Sequence, residues 1–287
     1  MPIHSLGYVR LDVADLDAWR TFAGGFLGLM EVAGPQEDAL HYRMDGYHHR
    51  LVVAPSDTPG LRAAGFEVTN ARDLDALVGA VEATGTTVTR GDKAGCEARK
   101  VNGFAAFTDP SGNRIELYYG PKIDHSEVHT PGVSRFVTDD LGMGHIILNV
   151  IDVEAAFTFY ADVLGFAERN TTETPGGTIY FLGCNPRQHT LGLAPAAAPG
   201  LLHLMVEAAT LDDVGRALDR AHELGVPMMQ SLGRHTNDHM VSFYVWSPER
   251  HAIEFGFDGD RVAEPAPTYE ITEGALWGHR FTPPPAG

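Results

Sequence analysis

Thiols are scarce. Cys96 and Cys184 are the only two in 287 residues, and neither belongs to a CxxC pair. Two cysteines cannot build the disulfide framework of a small secreted domain, and the spacing excludes a paired-thiol motif. Reduced thiols in a cytoplasmic protein are expected. Positive charge is also short: 21 Lys and Arg stand against 38 Asp and Glu, a formal net charge of −17. Nucleic acid and anionic lipid both attract clustered cations, so neither partner is expected. No apolar run approaches the ~20 residues of a membrane helix. Met1 to Asp17 lacks the cationic start and apolar run of a secretory signal. No GxGxxG opens a helix after a strand, so neither NAD nor flavin is expected.

What the chain has is length, histidine and a repeat. A chain of 287 residues exceeds the usual span of one core. Leu6-Gly7-Tyr8, Asp15, Phe22, Leu27 and Gly28 return 137 residues later as Met143-Gly144-His145, Asp152, Phe159, Leu164 and Gly165. Phe66 then matches His203, and Leu74 matches Leu211. Asp109-Pro110 with Ile115-Glu116 matches Ser247-Pro248 with Ile253-Glu254, now at a spacing of 138. A duplication over so long a stretch predicts two similar domains, 1–121 and 142–257. His129-Thr130-Pro131-Gly132 reads as the linker, and 258–287 as a tail.

Each copy divides again. In the second, Gly144 to Val150 reads as a strand with His145, Ile147 and Asn149 on one face. Asp152 is placed to cap a helix carrying Phe157, Tyr160, Val163 and Leu164, with Gly165 as its C-cap. A strand at His203–Glu207 leads to a second helix. Thr210 and Asp213 resemble a capping box there; Val214, Leu218 and Ala221 form the apolar stripe, and Gly225 closes it. Strands follow at Val241–Trp246 and Ala252–Phe257. The expectation is an α+β chain of four βαβββ-like modules, paired into two domains.

Chemistry is sought where the copies differ. The second copy has His145 and His203 where the first has Tyr8 and Phe66, and both keep a glutamate, Glu254 and Glu116. Two imidazoles and one carboxylate are the ligand set of a mononuclear non-haem iron(II) site with open positions. Strand alternation puts small Ala252 and Gly256 on the face of Glu254, which could leave room for the ion. Glu116, alone among aromatics, reads as a structural carboxylate. Two polar loops, Cys184–Thr190 and Gly233–Met240, carry His189 and His235 close to these strands, and the second runs into Tyr244. They could supply acid–base groups. His222 is expected to face solvent; His41, His48, His49 and His125 have no partner pattern.

Gly144-His145, His203-Leu204-Met205-Val206-Glu207, the run from Gly233-Arg234-His235-Thr236-Asn237-Asp238-His239 to Tyr244, Ile253-Glu254-Phe255-Gly256 and Trp277-Gly278-His279-Arg280 together resemble a known family. It is the type I extradiol catechol dioxygenases of the vicinal oxygen chelate (glyoxalase–bleomycin resistance–dioxygenase) fold, the 2,3-dihydroxybiphenyl 1,2-dioxygenase group in particular. Gln188 stands where many relatives have a second His, and the Leu191–Leu202 connection is about one residue short. The resemblance implies Fe(II), with Mn(II) as an alternative, held by His145, His203 and Glu254. O2 would be co-substrate. His189 would be the acid–base group, Tyr244 would bond the catechol oxygen and His235 would contact the hydroxyl region. Asn237 and Asp238 would support them, and Phe181 would line the ring pocket. The implied reaction is extradiol cleavage of a catechol in aromatic-compound degradation. A bulky 3-substituted or biaryl ring is the first choice; a monocyclic, naphthalene- or steroid-derived catechol is the alternative. The same fold carries glyoxalase-type isomerases and non-catalytic aromatic-binding proteins; the polar His189 and His235–Tyr244 groups argue against the first, and the intact ligand set against the second. Relatives of this kind commonly form homo-oligomers.

Overall fold

The computed structural model describes residues 2–263 and 265–284. The first half gives β1 (Ile3–Val13), β2 (Met30–Val32), β3 (Leu40–Arg43), β4 (Leu51–Pro55), β5 (Gly60–Val68), β6 (Thr89–Arg90), β7 (Val101–Thr108) and β8 (Arg114–Pro121). The second gives β9 (His145–Val150), β10 (Ala167–Thr174), β11 (Gly177–Gly183), β12 (Leu191–Pro195), β13 (Gly200–Ala208), β14 (Met228–His235), β15 (Val241–Trp246) and β16 (Ala252–Phe257). Residues 258–284 add β17 (Tyr269–Ile271) and β18 (Ala275–Trp277). The helices are α1 (Leu16–Trp19), α2 (Ala71–Ala83), α3 (Lys93–Arg99), α4 (Val153–Thr158) and α5 (Leu211–Glu223).

The strands form two sheets. One runs β2-β3-β4-β1-β5-β8-β7-β6, the other β17-β10-β11-β12-β9-β13-β16-β15-β14-β18. In each, the paired modules meet at an antiparallel junction, β1 on β5 and β9 on β13. Each module closes with a parallel pair, such as β9 with β12 and β13 with β16. The α+β, four-module expectation therefore matches the fold. The stretch expected as a tail joins the second sheet at both edges: β17 pairs with β10 and β18 with β14.

Local chemistry explains the elements. Asp152 Oδ1 accepts from Ala155 N at 3.0 Å and starts α4. α4 then widens into a π-helical turn, Phe159–Val163, with Leu164 N donating to Phe159 O. The turn buries Phe159, Tyr160 and Leu164, whereas Phe157 and Val163 of the expected stripe are only half-buried. The first half repeats the device at Arg20–Phe26. At α5, Thr210 Oγ1 accepts from Asp213 N at 3.1 Å. Asp213 does not complete the box. Its carboxylate accepts instead from Ser134 N at 2.9 Å and Ser134 Oγ at 2.5 Å, tying down the segment between the halves. Both sheets contribute to one apolar cluster. Phe66 meets Phe166 with ring centres 5.4 Å apart, Phe107 meets Phe159 at 5.9 Å, and Tyr160 Oη donates to Asp109 at 3.1 Å.

Candidate active site

Three adjacent strands supply the convergent donors. His145 opens β9, His203 lies mid-way along β13, and Glu254 is third in β16. Gly144 permits the entry of β9. Its φ is +147°, and a Cβ there would lie 1.8 Å from Met205 O. His145 Nε2 and His203 Nε2 are 2.9 Å apart, and Glu254 Oε2 lies 3.2 and 3.4 Å from them. Two donors each about 2.1 Å from one ion, at right angles, stand about 3.0 Å from each other. Glu254 Oε2 is buried yet makes no hydrogen bond with either imidazole. An acceptor aimed between two ring nitrogens, without hydrogen-bond geometry, fits a shared cation better than a proton. His145, His203 and Glu254 are close enough to hold one.

His145, His189 and Asp238 form a second, overlapping cluster. It is the looser one: His189 Nδ1 lies 3.9 Å from Asp238 Oδ2 and donates to Gln188 Oε1 at 2.6 Å. Asp238 Oδ1 is likewise taken by Met240 N at 3.1 Å.

Around the trio the structure collects the other expected residues. His145, His189, His203, His235, Asn237, Asp238, Tyr244, Glu254 and Phe181 all border one cavity, with Thr172, Ile271 and Gly274. Thr172 is on β10 and His235 on β14, far apart in strand order, so the sheet curls around the cavity. His235 Nε2 lies 2.7 Å from Tyr244 Oη and 3.3 Å from Glu254 Oε1. His235 Nδ1 donates to Gly274 O at 3.0 Å, since a carbonyl can only accept. Phe181 stands edge-on to His189 with ring centres 4.9 Å apart. Asn237 is held by its backbone: Tyr269 Oη donates to Asn237 O at 3.0 Å.

Electrostatics follow burial. Burial pushes the His203 imidazole down to about 3 and His189 well below its usual value, so both rings are neutral at pH 7. Burial alone would raise Glu254, but His145 and His235 hold it well below the carboxylate range. Burial would lower His235; the neighbouring Glu254 carboxylate outweighs it and lifts the ring to about 9. Burial pushes the Tyr244 phenol well above its usual value.

Two sequence expectations change. Gly256 does not make room for an ion: a Cβ there would meet Met240 Sδ at 2.2 Å, so the glycine admits the methionine. Gln188, expected only as a departure from the family pattern, fixes the His189 tautomer. Ser242 was not singled out. Its Oγ donates to Glu254 Oε1 at 2.6 Å, and it shares a strand face with Tyr244, so alternation alone could have found it. Ile271 and Gly274 had no signal beyond their place in the tail, and His279 had only its place in the family-like run Trp277–Arg280, with no role attached. His222 is exposed as expected.

The first half shows the same frame without the ligands. Tyr8 Oη donates to Glu116 Oε2 at 2.7 Å, and Arg99 reaches both Glu116 oxygens, Nε to Oε2 at 2.6 Å and Nη2 to Oε1 at 2.5 Å. A guanidinium here neutralises the carboxylate whose counterpart in the second half, Glu254, faces His145 and His203. Gly65, paired with Tyr8, leaves space for that ring; a Cβ would come within 2.4 Å of it.

Residues 142–255 match the Glyoxalase/Bleomycin resistance protein/Dioxygenase superfamily, and residues 6–55 match the dihydroxybiphenyl dioxygenase BphC D1 family. The chain is 39% identical to an iron-dependent extradiol dioxygenase of Rhodococcus jostii (strain RHA1), over 98% of each protein. It belongs to the extradiol dioxygenases. A biphenyl-2,3-diol 1,2-dioxygenase of Metapseudomonas furukawaii is 38% identical, over 98% of this chain and 94% of that one. The crystal structure of BphC, a halotolerant catechol dioxygenase, superimposes with a TM-score of 0.93 at 33% identity, covering 97% of this chain and 95% of that one. For an extradiol dioxygenase, a His–His–Glu trio with His145 and Glu254 buried and His203 at the cavity wall, beside polar His and Tyr groups, is an understandable arrangement. Cys96 and Cys184 are both free, and burial pushes the Cys184 thiol up to about 12. No helix among the described residues is long and apolar enough to cross a membrane.

Proposed function

We propose that this dioxygenase uses Fe(II), held by His145, His203 and Glu254, to cleave a catechol ring beside its two hydroxyls. A 3-substituted or biaryl catechol is the substrate class, in aromatic-compound degradation. The observation that carries the reading is the trio of donor atoms within 2.9–3.4 Å of one another, with Glu254 Oε2 left unbonded. The biphenyl-2,3-diol activity named for the relative from Metapseudomonas furukawaii supports the substrate class. So does the cavity wall, where Phe181 and Ile271 are the apolar members beside the polar groups.

Iron(II) held by these three residues would lower the pKa of a catechol hydroxyl and offer open positions to the ring and O2. The chain's own groups move the protons. With its Nδ1–H committed to Gly274 O, His235 has only Nε2 free to exchange one. His235 Nε2 faces both Tyr244 Oη and Glu254 Oε1, so a proton can pass along the Tyr244–His235 hydrogen bond while the Tyr244 oxygen accepts from the substrate hydroxyl. His189 is the second acceptor. Its Nδ1–H is given to Gln188, so Nε2 takes a proton and returns it when an oxygen–oxygen bond must break. The neutral resting ring, kept so by burial, makes it a base first and an acid second.

The test is anaerobic loading with Fe(II) or Mn(II), then oxygen uptake and new visible absorbance across a panel of catechols, with His203→Ala as control. Turnover by wild type, together with loss of metal and turnover in a folded His203→Ala protein, is expected. Metal retention and turnover in that variant would refute the ligand set.

A further inference from the structure

Trp277-Gly278-His279-Arg280 is the family-like run that no role above uses. We propose that His279 is a positioning residue for His235, fixing the ring plane in which His235 Nε2 meets Tyr244 Oη. The proposal rests on the ring-cleavage reading for its kinetic consequence, but its structural content stands apart from it.

The His279 ring lies over the His235 ring with centres 4.0 Å apart and planes at 17°. It also meets the edge of the Tyr244 ring at 5.6 Å and 71°. His235 thus has a hydrogen bond at each nitrogen, Gly274 O on Nδ1 and Tyr244 Oη on Nε2, and one face covered by a second imidazole. The bond to Cβ and the hydrogen bonds at the two nitrogens hold the ring at its edges; the stacked imidazole bears on its face and resists tilting.

The local structure is strained toward this placement. His279 has φ +48°, the left-handed region that non-glycine residues avoid. Gly278 before it has φ +75°, and a Cβ there would lie 2.1 Å from Leu232 O. On the facing strand, a Cβ at Gly233 would meet His279 N at 2.5 Å and its ring at 2.6 Å. Both His279 nitrogens are buried without a hydrogen-bond partner among the described residues. Unpaired polar atoms, a left-handed histidine and two obligatory glycines converge on one contact, the stack on His235. Such costs persist where a neighbour's geometry is at stake.

Three variants test it: His279→Ala, which removes the stack; His279→Phe, which keeps a flat ring but no nitrogen; and His279→Asn, which keeps a polar atom but no ring. The direct readout is the hydrogen-bonded proton between Tyr244 and His235, followed by NMR with 15N-histidine in the metal-free protein. We expect the signal to be lost or exchange-broadened in His279→Ala and His279→Asn and kept in His279→Phe. In the iron-loaded enzyme, kcat should fall about ten- to a hundredfold in Ala and Asn, the scale of a misplaced catalytic group. KM and iron content should stay within twofold of wild type, and Phe should recover most of kcat. An unchanged proton signal in His279→Ala, or rescue by Asn and not Phe, would overturn the proposal. If wild type cleaves no catechol, the ring-cleavage reading fails; the NMR comparison then decides the positioning role by itself.

Discussion

Removing Arg99 should unsettle the first half of the molecule in a way that acid repairs. Glu116 is fully buried, and Arg99 is 9% exposed at its side chain. Two guanidinium nitrogens and the Tyr8 hydroxyl satisfy the carboxylate. Arg99→Met keeps the stem but removes both guanidinium hydrogen bonds, leaving Glu116 the Tyr8 hydroxyl and the half-exposed Arg114, whose Nε lies 3.5 Å from Oε1. Breaking one partner of a buried pair costs about 3–5 kcal/mol. The lost guanidinium contact over Phe104, 3.8 Å from the ring centre, adds roughly 0.5–1 kcal/mol. Burial would raise Glu116, but Arg99 holds it below the carboxylate range. In wild type this pairing contributes stability above the unfolded pKa, lost only as pH falls through the lower folded value. In Arg99→Met the sign reverses. Burial now raises the folded pKa, so the penalty is full at neutral pH and shrinks as acid protonates Glu116. Urea unfolding at pH 7 and pH 5, with Arg99→Met, Glu116→Gln and the double variant, measures it. The double variant should cost about 2 kcal/mol less than the sum of the singles. A loss under about 1 kcal/mol for Arg99→Met at pH 7, or the same loss at both pH values, would refute the reasoning.

Gly144→Ala should cost more than about 3 kcal/mol or displace β9 from β13, since its Cβ would sit 1.8 Å from Met205 O; thermal melting and iron content read both outcomes. Asp213→Asn should remove acid sensitivity between the unfolded carboxylate pKa and about 2. Burial opposes the ionised form, but hydrogen bonds from Ser134 and Thr210 hold Asp213 at about 2, so its stabilisation is present above the unfolded pKa and lost as pH falls through the folded one. A wild-type melting profile in acid would contradict it. His189→Gln should keep metal and catechol binding and slow ring opening about 10²–10⁴-fold; unchanged single-turnover rates would remove His189 from proton transfer.

The duplication made most of this architecture legible. A spacing of 137 exposed His145 and His203 as substitutions for aromatics, and the same repeat, at a spacing of 138, matched Glu254 to Glu116. The site's closing contacts were not legible, because they come from chain crossings rather than from periodicity. Gly274 O reaches His235 from 39 residues away, and no local pattern marks a carbonyl. Ser134 draws Asp213 off its expected cap from 79 residues away. The π-helical turn at Phe159–Val163 was hidden because one widened turn shifts the buried stripe without breaking its apolar composition.

The placement of β17 and β18 divides the site unequally along the chain. His145, His203 and Glu254 all lie on strands that end before residue 258, whereas the Gly274 carbonyl and the His279 ring reach His235 from the last stretch. A chain ending between residues 258 and 268 would still carry the three convergent donors but would lack both the acceptor on His235 Nδ1 and the ring on its face.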